Sequence, residues 1–209
     1  MTKKQKIDVI LQLLDEYYPD NTECYLNYTE PYELLFATIL SAQCTDDRVN
    51  IVTETLFKRY RSLEDFAYAN SEDMENCVKS TGFYRNKTKN IIWTAQILLD
   101  KYAGQIPSDI VELTALPGVG RKTANVVRSH IFNLPSIVVD THVKRVSCKL
   151  GITEYKDPEK IEFELMKVLP TEYWIRYNTQ IIAHGRKICK ARKPCCGECF
   201  LDFICPKLC

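Results

Sequence analysis

Apolar residues recur at helical spacing along almost the whole chain, and this period sets the fold class before any motif is considered. Ile7, Ile10, Leu11 and Leu14 fall at i, i+3, i+4 and i+7, one face of a helix. Pro31 sits where a first helical residue is favoured, ahead of a helix read from Tyr32 to Gln43. Further helices are read at about 46–60, from Ser71, at 86–102, from Pro107-Ser108 to Leu116, and at 120–132, 140–150, 157–169 and 171–189. Acids follow Ser71 in the first turn, where the helix dipole prefers them. Ile137-Val138-Val139 is β-branched but too short to found a sheet. The chain is therefore expected to be all-α.

At 209 residues and 45% apolar, such a chain can bury a core without covalent staples, so its ten cysteines call for another reason. The opening MTKKQKID has no apolar signal region, and the run from Leu34 to Leu40 is broken by Thr38 and too short for a membrane span. The expected location is the cytoplasm, where thiols stay reduced and cysteine points to metal or catalysis before disulfides. Four cysteines are spaced Cys189-x6-Cys196-x2-Cys199-x5-Cys205, with Pro206 next. Four thiolates in so short a stretch can surround one metal centre. Zinc usually takes two short Cys-x2-Cys pairs, and only one is present. The uneven wrap suits an iron–sulfur cluster better, with zinc as the rival. Cys195 and Cys209 stay unassigned, and the scattered Cys24, Cys44, Cys77 and Cys148 read mostly as core fillers.

Net charge is only +1, but its distribution is uneven. Residues 121–149 set Arg121, Lys122, Arg128, Lys144, Arg145 and Lys149 against a single acid, Asp140. The stretch from Gly185 sets Arg186, Lys187, Lys190, Arg192, Lys193 and Lys207 against Glu198 and Asp202. One basic face for phosphates would give this pattern, and so would ordinary solvated helix faces.

The segment from Leu116 to Val127 reads Leu-Pro-Gly-Val-Gly-Arg-Lys-Thr-Ala-Asn-Val-Val and joins two helices. Pro117 ends the first, and Gly118 and Gly120 permit positive φ. This is a helix-hairpin-helix element, whose bare N–H groups and helix start can hold a DNA phosphate without reading sequence. Lys122 lies in the first turn of the second helix. The dipole disfavours a cation there by roughly 0.3–1 kcal/mol. The residue is either a tolerated, solvated lysine or one kept for a nucleophilic amine. Asp140, eighteen residues on, is placed to N-cap the next helix. Capping would hold the carboxylate rigid, which suits a group that must stabilise a developing cation.

Other stretches complete a pattern: Leu40-Ser-Ala-Gln-Cys-Thr-Asp46, Thr81-Gly-Phe-Tyr-Arg-Asn-Lys87, Val138-Val-Asp-Thr-His-Val143 and Ala183-His-Gly-Arg186. With the Gly-rich turn and the cysteine wrap, they resemble the endonuclease III family, in one order over nearly the whole chain. The resemblance implies a two-lobed helix-hairpin-helix DNA glycosylase: a six-helix lobe over 24–134, and a lobe of 1–23 plus 135–209 holding a [4Fe–4S] cluster on Cys189, Cys196, Cys199 and Cys205. It implies a bifunctional glycosylase and abasic-site lyase that removes oxidised pyrimidines such as thymine glycol. Lys122 would attack the sugar C1′. Asp140, facing it across a cleft, would help deprotonate it and stabilise the cationic sugar. β-Elimination would then nick the strand. Gln43 would fill the hole left by the flipped base, and Phe83 stands where the family commonly has a leucine wedge. Gly118, Gly120 and Arg121 in the hairpin, His142, and Lys190, Arg192 and Lys193 between two cluster ligands would contact DNA. The implied partner is double-stranded DNA with damaged bases or abasic sites. The protein would act as a monomer away from membranes, on the nucleoid if bacterial. An adenine mismatch glycosylase lacks the lysine at position 122. A non-enzymatic, metal-containing DNA-binding module would not need the Lys122 and Asp140 pair.

Overall fold

The computed structural model describes residues 1–19 and 24–208, and among them every regular element is helical. In chain order the α-helices are α1 (Lys3–Tyr17), α2 (Pro31–Leu40), α3 (Asp46–Arg59), α4 (Leu63–Ala67), α5 (Ser71–Val78), α6 (Tyr84–Tyr102), α7 (Ile110–Thr114), α8 (Arg121–Ile131), α9 (Thr141–Lys149), α10 (Pro158–Val168) and α11 (Trp174–Lys187). The all-α expectation holds. No described helix is long and apolar enough to cross a membrane.

The chain divides into two compact units, Cys24–Leu134 and Met1–Glu23 with Pro135–Cys209. The first holds α2 to α8, seven helices where the sequence reading expects six. The additional one is the five-residue α4, too short for a helical period to show in sequence, and it exists because Ser62 and Asp65 cap it reciprocally. Leu34, Leu35, Phe36, Leu56, Phe66, Ile91 and Leu98 centre its core, and Cys24, Cys44 and Cys77 lie half-buried against it. In the second unit Ile7, Ile10, Leu11 and Leu14 on α1 meet Val143 and Val146 on α9, Leu165 on α10 and Tyr177 and Ile181 on α11. Cys209 lies outside the described residues.

Two helix boundaries differ from the sequence reading. Helix α2 stops at Leu40 and not at Gln43, because Gln43 adopts φ +54° and cannot continue a right-handed helix. Helix α7 starts at Ile110, because the Asp109 carboxylate accepts the N–H groups of Val111 and Glu112 at 2.8 and 3.1 Å and so fixes the start beyond Pro107-Ser108.

Candidate active site

Within the unit Cys24–Leu134, helix α6 organises three chemically relevant segments. The first is the hairpin between α7 and α8. Val119 is buried as its anchor and donates its N–H to Leu116 O at 3.1 Å. Thr94 of α6 donates its hydroxyl to Pro117 O at 3.0 Å. Gly118 has φ +76°, and a Cβ there would lie 2.6 Å from Nδ2 of Asn90, also on α6. Glycine is thus required twice, for its backbone angle and for close approach to α6. Gly120 caps α8 with no side-chain bond. Gly118 and Gly120 are exposed. Lys122 is exposed in that same first turn, beside Arg121 and with no acid.

The second and third segments are the turns carrying Gln43 and Phe83. Both side chains are exposed, and both residues are left-handed, at φ +54° and +47°. Each such non-glycine residue costs of order 1–3 kcal/mol, which the surrounding structure must offset. Phe83 is 64% exposed.

In the unit built from residues 1–23 and 135–209, Asp140 N-caps α9 and accepts the Val143 N–H at 2.7 Å. Buried Ile137 and Val143 fix the segment on either side of it. Helix α9 packs closely on α11 because residue 185 is glycine: a Cβ there would lie 2.7 Å from His142 Nδ1 and 3.0 Å from Arg145 Nη2. Arg145 donates to the carbonyls of Gly185 and Cys189, at 3.1 and 2.9 Å, and lies 3.1 Å from His142 Nδ1. The Arg145 guanidinium, counted in the sequence among the basic residues of 121–149, therefore braces protein carbonyls. Lys190, Arg192 and Lys193 are all exposed on the loop it braces, and Lys193 is left-handed at φ +52°.

Cys189, Cys196, Cys199 and Cys205 all line one cavity of about 150 Å³, which Cys195 does not reach. Val146, Leu150, Ile188 and Pro194 give it an apolar wall. Burial pushes the Cys189 and Cys199 thiols up, and the Arg145 and Lys149 charges draw Cys189 back. Cys196 and Cys205 raise both thiols further, and Cys189 also raises Cys199. Among the described residues no group of three or more His, Cys, Asp or Glu lies close enough together to hold a metal ion as it stands. Four thiols that line one cavity are a donor set that fits a thiolate-bound metal centre. His184 is buried beside it, with Nε2 3.7 Å from Cys199 Sγ, and burial lowers its pKa to about 4.

Residues 36–171 match the family model of the HhH-GPD superfamily base excision DNA repair protein. The chain is 50% identical over 206 residues to endonuclease III of Synechocystis sp., covering 98% of this chain and 94% of that protein. It is 45% identical to endonuclease III of Bacillus subtilis over the same length and shares. The chain belongs to the endonuclease III family. It is accordingly a DNA glycosylase and abasic-site lyase of base excision repair. Among solved structures, a trapped endonuclease III–DNA covalent intermediate in its estranged-adenine complex matches with a TM-score of 0.93 at 45% identity, covering 99% of this chain and 97% of that one. Sequence reasoning gave no role to Lys87, Asn90 or Thr94 and read Arg145 only as part of a basic stretch, whereas the Lys87, Thr94 and Arg145 side chains bond the protein's own backbone carbonyls. Only Gly185, a glycine inside a helix, carried a signal of close packing.

Proposed function

We propose that the enzyme removes oxidised pyrimidines from duplex DNA, with Lys122 as nucleophile and Asp140 as the carboxylate that stabilises the cationic sugar. The observation that carries this is Lys122 itself: an exposed lysine in an acid-free helix start, directly after a hairpin whose N–H groups suit a phosphate. The covalent DNA intermediate solved for a relative 45% identical supports the same reading. The Lys122 amine attacks C1′, the C1′–N bond breaks, and the base leaves with a proton. Ring opening gives a Schiff base. Loss of a C2′ proton then breaks the C3′–O3′ bond and expels the 3′-side strand with a 5′-phosphate, and water releases the lysine.

Gly118, Gly120 and Arg121 grip the phosphate backbone, with His142 and the loop residues Lys190, Arg192 and Lys193 as further contacts. Gln43 and Phe83 enter the base stack, where the phenyl ring stacks on a base as well as prising it. The residues 24–134 form the hairpin lobe, and 1–23 with 135–209 the cluster lobe. The enzyme acts as a monomer in the cytoplasm. A panel of duplexes tests the substrate class. Thymine glycol duplexes are expected to lose the base and be nicked. Excision confined to adenine in mismatches, without nicking, would overturn the assignment.

Cys189, Cys196, Cys199 and Cys205 would hold a [4Fe–4S] cluster, whose contribution is to hold the 189–205 segment in shape. Protein purified without oxygen is expected to be yellow-brown, with about four irons and four sulfides per chain. Stoichiometric zinc in place of iron would refute this.

A further inference from the structure

Lys87 is a buried cation that this mechanism does not use. It lies in the first turns of α6 and is 4% exposed. Its ammonium donates to Leu40 O at 2.9 Å and to Thr81 O at 2.7 Å. Leu40 is the last residue of α2, and Thr81 ends the 3₁₀ turn Lys79–Thr81. Gln43 follows Leu40 by three residues, and Phe83 follows Thr81 by two. The Lys87 main chain adds a third tie, donating its N–H to Phe83 O at 3.1 Å. One residue therefore bonds the base of both turns, although the turns are some forty positions apart in sequence.

We propose that Lys87 is a positioning residue that locks the Gln43 and Phe83 turns at a fixed separation, so that both side chains enter the base stack together. An ammonium is an expensive way to fill this space. Burial pushes its pKa below the ordinary lysine range, with Cys44 opposing weakly. Among the described residues no carboxylate pairs with it. An apolar side chain would fill the same volume at less cost. What only a buried donor provides is a bridge between two backbone segments whose terminal carbonyls have lost their helical partners. Gln43 and Phe83 are each held in a left-handed conformation. Small shifts at the base of such turns would move their tips apart.

The proposal rests on the reading of Gln43 and Phe83 as stack-entering residues, and a mutant cycle separates the two. Base excision from a thymine glycol duplex is measured in single turnover for wild type, Lys87→Met, Gln43→Ala/Phe83→Ala, and the triple variant. Cleavage of single-stranded abasic DNA, which requires no base extrusion, runs alongside. Lys87→Met is expected to slow duplex excision by about 10–100-fold, the equivalent of losing part of the few kcal/mol that extrusion requires. Its loss on single-stranded abasic DNA should be at least tenfold smaller (about one decade). In the Gln43→Ala/Phe83→Ala background, Lys87→Met should add little, because the residues it positions are gone. Equal losses on both substrates, or a full Lys87→Met loss added to the loop variant, would overturn the proposal. If Lys87→Met does not fold, Lys87→Gln keeps one donor and is judged by the same criteria. Wild-type excision by Gln43→Ala/Phe83→Ala would remove the underlying reading of those two residues. Loss in that variant with none in either Lys87 variant would remove the Lys87 proposal alone.

Discussion

Replacing Lys122 by glutamine is expected to abolish borohydride trapping on damaged duplex DNA and to lower strand cleavage by several orders of magnitude, while leaving the protein at least as stable. Both halves follow from where the residue sits. Lys122 occupies an exposed first-turn position on α8, with Arg121 beside it and no acid in the turn. A cation there opposes the helix dipole, so neutral glutamine should leave Tm unchanged or raise it by about 1–2 °C. The hairpin that holds the turn depends on Thr94, Asn90 and Gly118, none of which touches the Lys122 amine in this reading. Duplex binding should persist, since the phosphate-binding N–H groups remain. A lysine that merely tolerates its place would behave differently. Lys122→Gln would then still be trapped, still cut, and still gain the same stability. Trapping therefore separates a residue retained for chemistry from one retained by chance, and an unchanged or raised Tm shows that a loss of trapping is not a loss of fold.

The division between what sequence shows and what it hides follows from the kind of signal each feature leaves. Pro117, Gly118 and Gly120 punctuate the chain, so the hairpin is legible, as is Asp140 at the start of α9. The four-cysteine spacing is legible for the same reason: cysteine is rare and its intervals are unusual. The end of α2 is not legible, because Ser41-Ala-Gln43 contains no glycine or proline. The stop is a left-handed glutamine held by its surroundings. Helix α4 is too brief for a period, and its existence rests on a reciprocal cap. Lys87 and Arg145 mislead more deeply. A lysine or arginine in sequence is read as solvent-facing by default, since these are rarely buried. Here one ammonium lies at 4% exposure under two turns, and one guanidinium spans the carbonyls of Gly185 and Cys189. Both groups bond backbone carbonyls of residues far from them in sequence. Such partners exist only once the chain has folded, and no local pattern announces them.

Asp140→Asn is expected to lower turnover by about 10²–10³-fold, with little loss of stability. The two effects separate because the residue has two roles that depend on different properties. As the N-cap of α9, Asp140 needs a side-chain oxygen to accept the Val143 N–H, now at 2.7 Å, and an asparagine carbonyl can serve. As the proposed stabiliser of a cationic sugar, it needs a full negative charge, which asparagine lacks. Asp140→Ala removes both, and should add a stability cost of about 1 kcal/mol to the same catalytic loss. Comparing the two variants removes the usual ambiguity of a capping residue in an active site. If the residue acts only by ordering α9 and, through it, His142 and Arg145, then Asp140→Asn should be nearly as active as wild type and only Asp140→Ala should fail. If the charge is the catalytic element, both fail alike, and only Asp140→Ala also melts earlier. Single-turnover base excision and thermal unfolding, measured on both proteins with their metal content matched, decide between these outcomes.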